Sequence, residues 1–345
     1  LDPDTTGGPG SLVTWEDLGR QGRQFIATAP SAAEIARVTG SEAMTPVRVY
    51  VGLGAGDTPG ARAAIALEEM KRIGAFERSV LVVATPTGTG WIDEAAIEPL
   101  EYLHRGDTAI VGQQYSYLTS YVSLFLEPGF APASASALFE TVYAHWTTLP
   151  PDARPQLYLH GLSLGSYGSE QSLAFYQILG DPIHGAVWSG PTFKNPAWAA
   201  FTAGRNPESP VWLPRVGDGS LVRFANQQTP PREQGAEWGP VRLVYLQYAS
   251  DPITFFSPDI FVREPAWLSG ERGPDVSPDL QWYPIITGLQ VAFDMVGASA
   301  FGPGIGHLFA ASHYLEAWLE VTRPEGWTDG DLQRLRTLFE PAARR

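Results

Sequence analysis

The stretch Leu159-His160-Gly161-Leu162-Ser163-Leu164-Gly165-Ser166 decides how this chain is read. Glycines two residues before and two residues after a serine let the backbone turn sharply and let a helix pack close to a strand. Three fixed positions in five say little alone, so the flanks matter. Residues 156–160 read as a strand, and residues 166 to about 178 as a helix. Ser163 therefore stands where a strand-to-helix turn would present its hydroxyl.

The same alternation runs outward in both directions. Apolar runs at 47–53, 79–84, 108–112, 185–188 and 241–247 read as strands. Helical stretches at about 59–73, 93–104 and 133–147 fall between them, the first with Pro59 in its opening turn and Gly74 just past its end. This pattern predicts an α/β fold, a mostly parallel sheet with helices on both faces. Residues 192–240 and 255–300 break the alternation. They are rich in Pro, Gly and Trp and have weak periodicity, and stretches of that length in a compact domain suggest cap-like insertions over a site. Residues 1–20 read as a linker or tether, and 21–340 as one domain. No internal repeat is visible.

Composition narrows the function. Of 345 residues 44% are hydrophobic and 17% charged, a globular balance. A net charge of −14 with no basic run argues against a nucleic-acid partner. The absence of cysteine removes thiol nucleophiles, disulfides and Cys-ligated metal. No H-x-x-x-H or HExxH spacing suggests a metal site. The run Gly52-Leu53-Gly54-Ala55-Gly56 with Asp57 after it does not fit a dinucleotide loop, so no cofactor is implied. No apolar run approaches the ~20 residues that span a bilayer.

A serine becomes a nucleophile when a histidine takes its proton and an acid orients that histidine. In the alpha/beta-hydrolases, whose serine turn the stretch at 161–165 resembles, the order along the chain is serine, acid, histidine, with the acid after a later strand. Asp251 follows the run at 241–247 directly and is the leading acid, ahead of Asp259 and Asp218, which follow no strong strand. Only His307 and His313 come after it. His307 lies in a glycine-rich loop, Gly302-Pro303-Gly304-Ile305-Gly306, and is preferred to His313 at a helix start. His104 and His145, near helix ends, read as solvated, His184 as a turn residue and His160 as packed near the site. The developing oxyanion needs backbone donors. Leu164, next after the serine, is one candidate, and Thr87 or Gly88 in Thr87-Gly88-Thr89-Gly90-Trp91 is the other.

These residues, with Arg48-Val49-Tyr50-Val51-Gly52-Leu53, Gln114-Tyr115-Ser116-Tyr117, Ser250-Asp251-Pro252 and Gly273-Pro274-Asp275-Val276-Ser277-Pro278, give the chain a resemblance. It resembles the bacterial alpha/beta-hydrolase family whose members carry a multi-pass membrane segment ahead of the hydrolase domain. The resemblance implies the alpha/beta-hydrolase fold, a triad of Ser163, Asp251 and His307, and a membrane-anchored parent of which this chain is the soluble domain. Two positions depart from the family pattern. Leu162 stands where an acidic residue is usual, and Ile305 where a first histidine is usual. The second departure leaves His307 as the one match, and the first makes the floor of the site more apolar.

The chemistry expected is acyl transfer to water from a small hydrophobic ester or a lipid, as by an esterase or lipase. Trp198, Trp212, Trp238, Trp267 and Trp282 in the two insertions could line an acyl pocket or pack the insertions onto the core. An acyltransferase with the same triad and a non-catalytic binding module on the same fold are the alternatives.

Overall fold

The structure, a computed structural model, describes residues 2–118, 129–173 and 180–340. Seven strands form one sheet: β1 (Val47–Val51), β2 (Val80–Thr85), β3 (Thr108–Gln113), β4 (Gln156–Leu162), β5 (Gly185–Ser189), β6 (Val222–Ala225) and β7 (Arg242–Leu246). Their order is β1-β3-β2-β4-β5-β7-β6, and every neighbouring pair is parallel. The first five strands in chain order are buried along all or nearly all their length, as expected of strands covered on both faces.

Twelve helices accompany the sheet among the described residues: α1 (Gly19–Ala27), α2 (Ala32–Thr39), α3 (Pro59–Arg72), α4 (Glu94–Leu103), α5 (Phe130–Trp146), α6 (Leu164–Ser172), α7 (Pro196–Ala203), α8 (Pro252–Phe255), α9 (Ala266–Ser269), α10 (Ile286–Val296), α11 (Ala311–Thr322) and α12 (Asp329–Phe339). One group is α3, α5 and α6, and in the other α4 packs on α11. The helix expected after the serine begins at Leu164, and residues 174–179 of its expected span lie outside the described residues.

Register fixes where a site can form. Thr85 of β2 pairs with Gly161 of β4, Leu162 with Ser189 of β5, and Ser189 with Leu246 of β7. The carboxyl ends of four strands thus meet at one edge, where open parallel sheets bind ligands.

The structure differs from the sequence reading in two regions. Residues 2–18 do not hang free as a tether. Val13 and Leu18 are buried, the Thr6 hydroxyl donates to Arg48 O (3.1 Å), and the Glu69 carboxylate receives Ser11 Oγ (2.8 Å) and Leu12 N (3.0 Å). Two apolar side chains and a buried carboxylate give this strap partners that its Gly- and Pro-rich composition conceals. Residues 192–240 also form less of a cap than expected. They supply β6, which extends the sheet beyond β7, while Trp198 and Trp212 join the main core. Glu170 of α6 anchors this region by accepting from Ala197 N (2.6 Å), Asn195 Nδ2 (3.1 Å) and Tyr245 Oη (2.7 Å). Residues 255–300 contribute to a separate small core of Ile253, Phe256, Ile260, Val291, Met295 and Ala298, and this core roofs the edge of the sheet where the site lies.

Candidate active site

The turn after β4 has the geometry its glycines suggest. Ser163 adopts φ 59° and ψ −124°, a backbone conformation few non-glycine residues take. A β-carbon on Gly161 would stand 2.3 Å from Gly165 O, and one on Gly165 would stand 2.3 Å from Thr85 O and 2.8 Å from Pro86 O. Only glycine fits at either place, because the obstructing atoms are backbone. Ser163 N donates to Ser189 O at 3.0 Å, which ties the turn to β5.

Asp251 follows β7 and caps α8. It is fully buried, and its Oδ1 accepts from Ile253 N (2.9 Å) and Thr254 N (3.4 Å). Its Oδ2 accepts from Thr254 Oγ1 (3.0 Å) and lies 2.7 Å from His307 Nδ1. A carboxylate held by that many donors stays an acceptor, so His307 Nδ1 carries the proton and Nε2 presents a lone pair. His307 Nε2 and Ser163 Oγ are both buried, neither has a hydrogen-bond partner among the described residues, and both residues line the same cavity of about 210 Å³.

Further contacts hold the imidazole. His307 N donates to Ala298 O at 3.0 Å, and the Phe309 ring meets the imidazole edge-on at 5.9 Å between centroids. The preceding loop hangs from Asp275. Asp275 Oδ2 receives Ser250 N (3.2 Å), the Ser250 hydroxyl and Gln227 Nε2 (2.7 Å). Ser250 Oγ in turn accepts from Gly306 N (3.0 Å), and Gln227 Nε2 also reaches Gly304 O (3.2 Å). Asp275 therefore links the residue before Asp251 to the residue before His307. The stretch at 273–278 carries part of the family resemblance, but nothing in its sequence points to this linking role.

The oxyanion candidates divide. Leu164 N is the first N–H of α6, which has no acceptor within its helix, and it is adjacent to the serine. Thr87 is corrected as a backbone donor, because its N–H is spent on Trp91 O at 2.9 Å within a closed turn. Thr87, Thr89 and Trp91 of this turn line the cavity, whereas Gly88 is buried in the turn and does not line it. Tyr50 Oη holds this turn at Gly90 O (2.6 Å) and Gln114 Nε2 holds it at Thr89 O (3.2 Å). The two stretches quoted around Tyr50 and Gln114 thus act as braces of the turn. The remaining walls are mostly apolar, from Leu162, Ile253, Met295 and Val296.

The weaker candidates are elsewhere. Asp218 and Asp259 are exposed. His313 bonds Tyr248 Oη through Nδ1 (2.5 Å), and burial lowers its pKa to about 4. His160 Nδ1 meets Val187 O at 2.8 Å, with burial again lowering its pKa to about 4. His104 and His145 are not simply solvated as expected. His104 Nε2 bonds Thr322 Oγ1 (2.8 Å), and His145 sets its ring against Phe76 at 4.5 Å. Trp238 lies under Arg223 at 3.8 Å, and Trp267 and Trp282 pack on the small core away from the serine cavity. No cluster of three or more metal-ligating side chains occurs among the described residues.

Comparison with known families agrees with this architecture. A model of the alpha/beta-hydrolase family matches residues 47–335, and a model of the alpha/beta-hydrolase family N-terminus matches residues 1–30. No curated protein matches the chain. No helix among the described residues is long and apolar enough to cross a membrane. A seven-stranded parallel sheet flanked by helices, matched over most of its length by that model, makes this chain a member of the alpha/beta-hydrolase family.

Proposed function

We propose that the protein is a serine hydrolase that cleaves hydrophobic esters through an acyl-enzyme, in the manner of an esterase or lipase. The observation that carries this reading is the 2.7 Å bond from His307 Nδ1 to a buried Asp251, on a ring whose Nε2, like Ser163 Oγ in the same cavity, has no partner among the described residues.

In this reading Ser163 Oγ attacks the ester carbonyl carbon while its proton passes to His307 Nε2. The carbonyl π pair moves onto oxygen, where Leu164 N–H at the start of α6 meets it. The second donor comes from the turn at 87–91. Thr87 N–H is engaged, and Thr87 and Thr89 of that turn both line the cavity, so the donor on this side is a threonine hydroxyl, with Thr87 the first candidate. When the intermediate collapses, the C–O bond to the alcohol breaks and Nε2 returns its proton to the leaving oxygen. Water then attacks the acyl-enzyme by the same path. Asp251 orients the imidazole and stabilises its charged form.

Leu162, Ile253, Met295 and Val296 favour an apolar acyl group. With p-nitrophenyl esters of increasing acyl length, kcat/KM is expected to rise from acetate to butyrate or hexanoate. A flat or falling series would contradict the hydrophobic-ester assignment. A bacterial, membrane-anchored parent stays part of the proposal and rests on the family resemblance alone.

A further inference from the structure

α10 is apolar on both sides. Its inner side buries Val291 and Met295 in the small core, and Gly288 lies so close to Phe261 that a β-carbon would stand 2.6 Å from the ring. Its outer side should be polar if it simply faced water. Instead Ile286, Leu289, Phe293 and Val296 are exposed there, Phe293 to 75%, and Gln290 and Asp294 are the polar side chains exposed beside them. Tyr283 and Phe301, just before and after the helix, are also exposed. Single exposed apolar residues are ordinary, but a contiguous group of this kind marks an interaction surface.

Three further features say what covers it. First, Asp294 is the only Asp, Glu, Lys or Arg between Asp279 and Glu316, in a chain of net charge −14. A surface meant for a charged protein partner or for anionic headgroups would carry cations. This one matches an uncharged apolar medium. Second, the surface is continuous with the candidate active site, because Val296 is 65% exposed and also lines the cavity of Ser163 and His307. Third, the chain enters α10 through a strained turn. Ile285 has φ 67° and ψ −50°, and Ile286 N closes onto Pro284 O at 2.7 Å. A β-branched residue is costly there and glycine would be easier. The Ile285 side chain is exposed, so core packing does not explain it. Its apolar side chain enlarges the outer face.

We infer that the outer face of α10 docks on a lipid surface of zwitterionic or neutral headgroups, and that ester substrate passes from that surface into the serine cavity beside Val296. The inference builds on the esterase reading for the fate of the lipid, but docking is measurable without turnover.

The test is flotation of the Ser163→Ala chain with phosphatidylcholine vesicles at low and high salt. The expected result is co-flotation that high salt does not weaken and that added phosphatidylglycerol does not strengthen. Leu289→Ser combined with Phe293→Ser should lower the partition coefficient at least tenfold. Both side chains are exposed and neither lines the cavity, so the thermal midpoint and the turnover of soluble p-nitrophenyl acetate should stay at the parent values. No flotation of the Ser163→Ala chain, equal flotation of the double variant, or flotation only with anionic lipid would overturn the inference. A concentration-dependent dimer abolished by the double substitution, without vesicle binding, would overturn it in favour of a second copy of this chain. Vesicle binding in a chain with no esterase activity would refute the esterase reading and leave the docking face standing.

Discussion

Gly190 leaves the space in which the His307 ring stands: a β-carbon at position 190 would lie 2.4 Å from His307 Cε1 and 2.8 Å from Nδ1. Gly190 follows β5, has φ 49°, and donates its N–H to Leu246 O at 2.9 Å. The position is fixed by its neighbours, so the ring would have to move. Gly190→Ala should therefore cost kcat/KM about a hundredfold on a soluble ester, the scale of an ångström of misplacement in a reacting group. It should also lower stability by roughly 1–2 kcal/mol through the left-handed backbone. Steady-state kinetics and urea unfolding check both, and parental kinetics would show that the ring does not need this space.

Among the described residues Asp275 is hydrogen-bonded to Ser250 and Gln227 and not to Asp251, His307 or Ser163, so it is a positioning residue. Asp275→Ala should lower kcat by about ten- to a hundredfold with KM for a short soluble ester nearly unchanged. Asp275→Asn should recover most of the loss, because one amide oxygen can accept the donors that now converge on Oδ2. An Asn variant as slow as the Ala variant would mean that the charge of Asp275 matters and not its role as an acceptor.

Much of the site was legible because strand ends and chain order are local facts. Ser163 lies between two glycines whose β-carbons would strike backbone, and Asp251 directly follows the last strong apolar run. Their convergence with His307 depends on parallel register, which β-α alternation already implies. Other features were not local. The use of Thr87 N–H depends on how its turn closes, and glycine spacing does not encode that. β6 has four residues in a Pro- and Gly-rich stretch and exists because β7 offers it an edge. α10 exposes only Gln290 and Asp294 among apolar side chains, so its periodicity was faint, and the same feature makes its outer surface informative. The space beside His307 at Gly190 is a tertiary contact across 117 positions and leaves no mark in either local sequence.

Asp93 gives a prediction about pH. It caps α4 through Ala95 N (3.0 Å), and burial raises its pKa to about 7. The folded chain then holds a proton that the unfolded chain has released above its ordinary value of 3.8. Stability from this group is fully present below that value and is lost as pH rises towards 7. Asp93→Asn keeps the capping oxygen and removes the titration. The variant's unfolding free energy, relative to the parent's, should rise by on the order of 1 kcal/mol per pH unit between pH 5 and 7. Urea midpoints measured across that range decide it, and parallel curves would mean that Asp93 titrates normally.

The central claim is that Ser163 is an activated nucleophile served by His307. Labelling by a fluorophosphonate probe, with the adduct located by peptide mass spectrometry, tests it most directly. The account predicts rapid labelling of the parent chain on Ser163, none on Ser163→Ala, and labelling slowed by a hundredfold or more in His307→Ala. A parent chain that does not react, or one whose adduct falls on another residue, would contradict it.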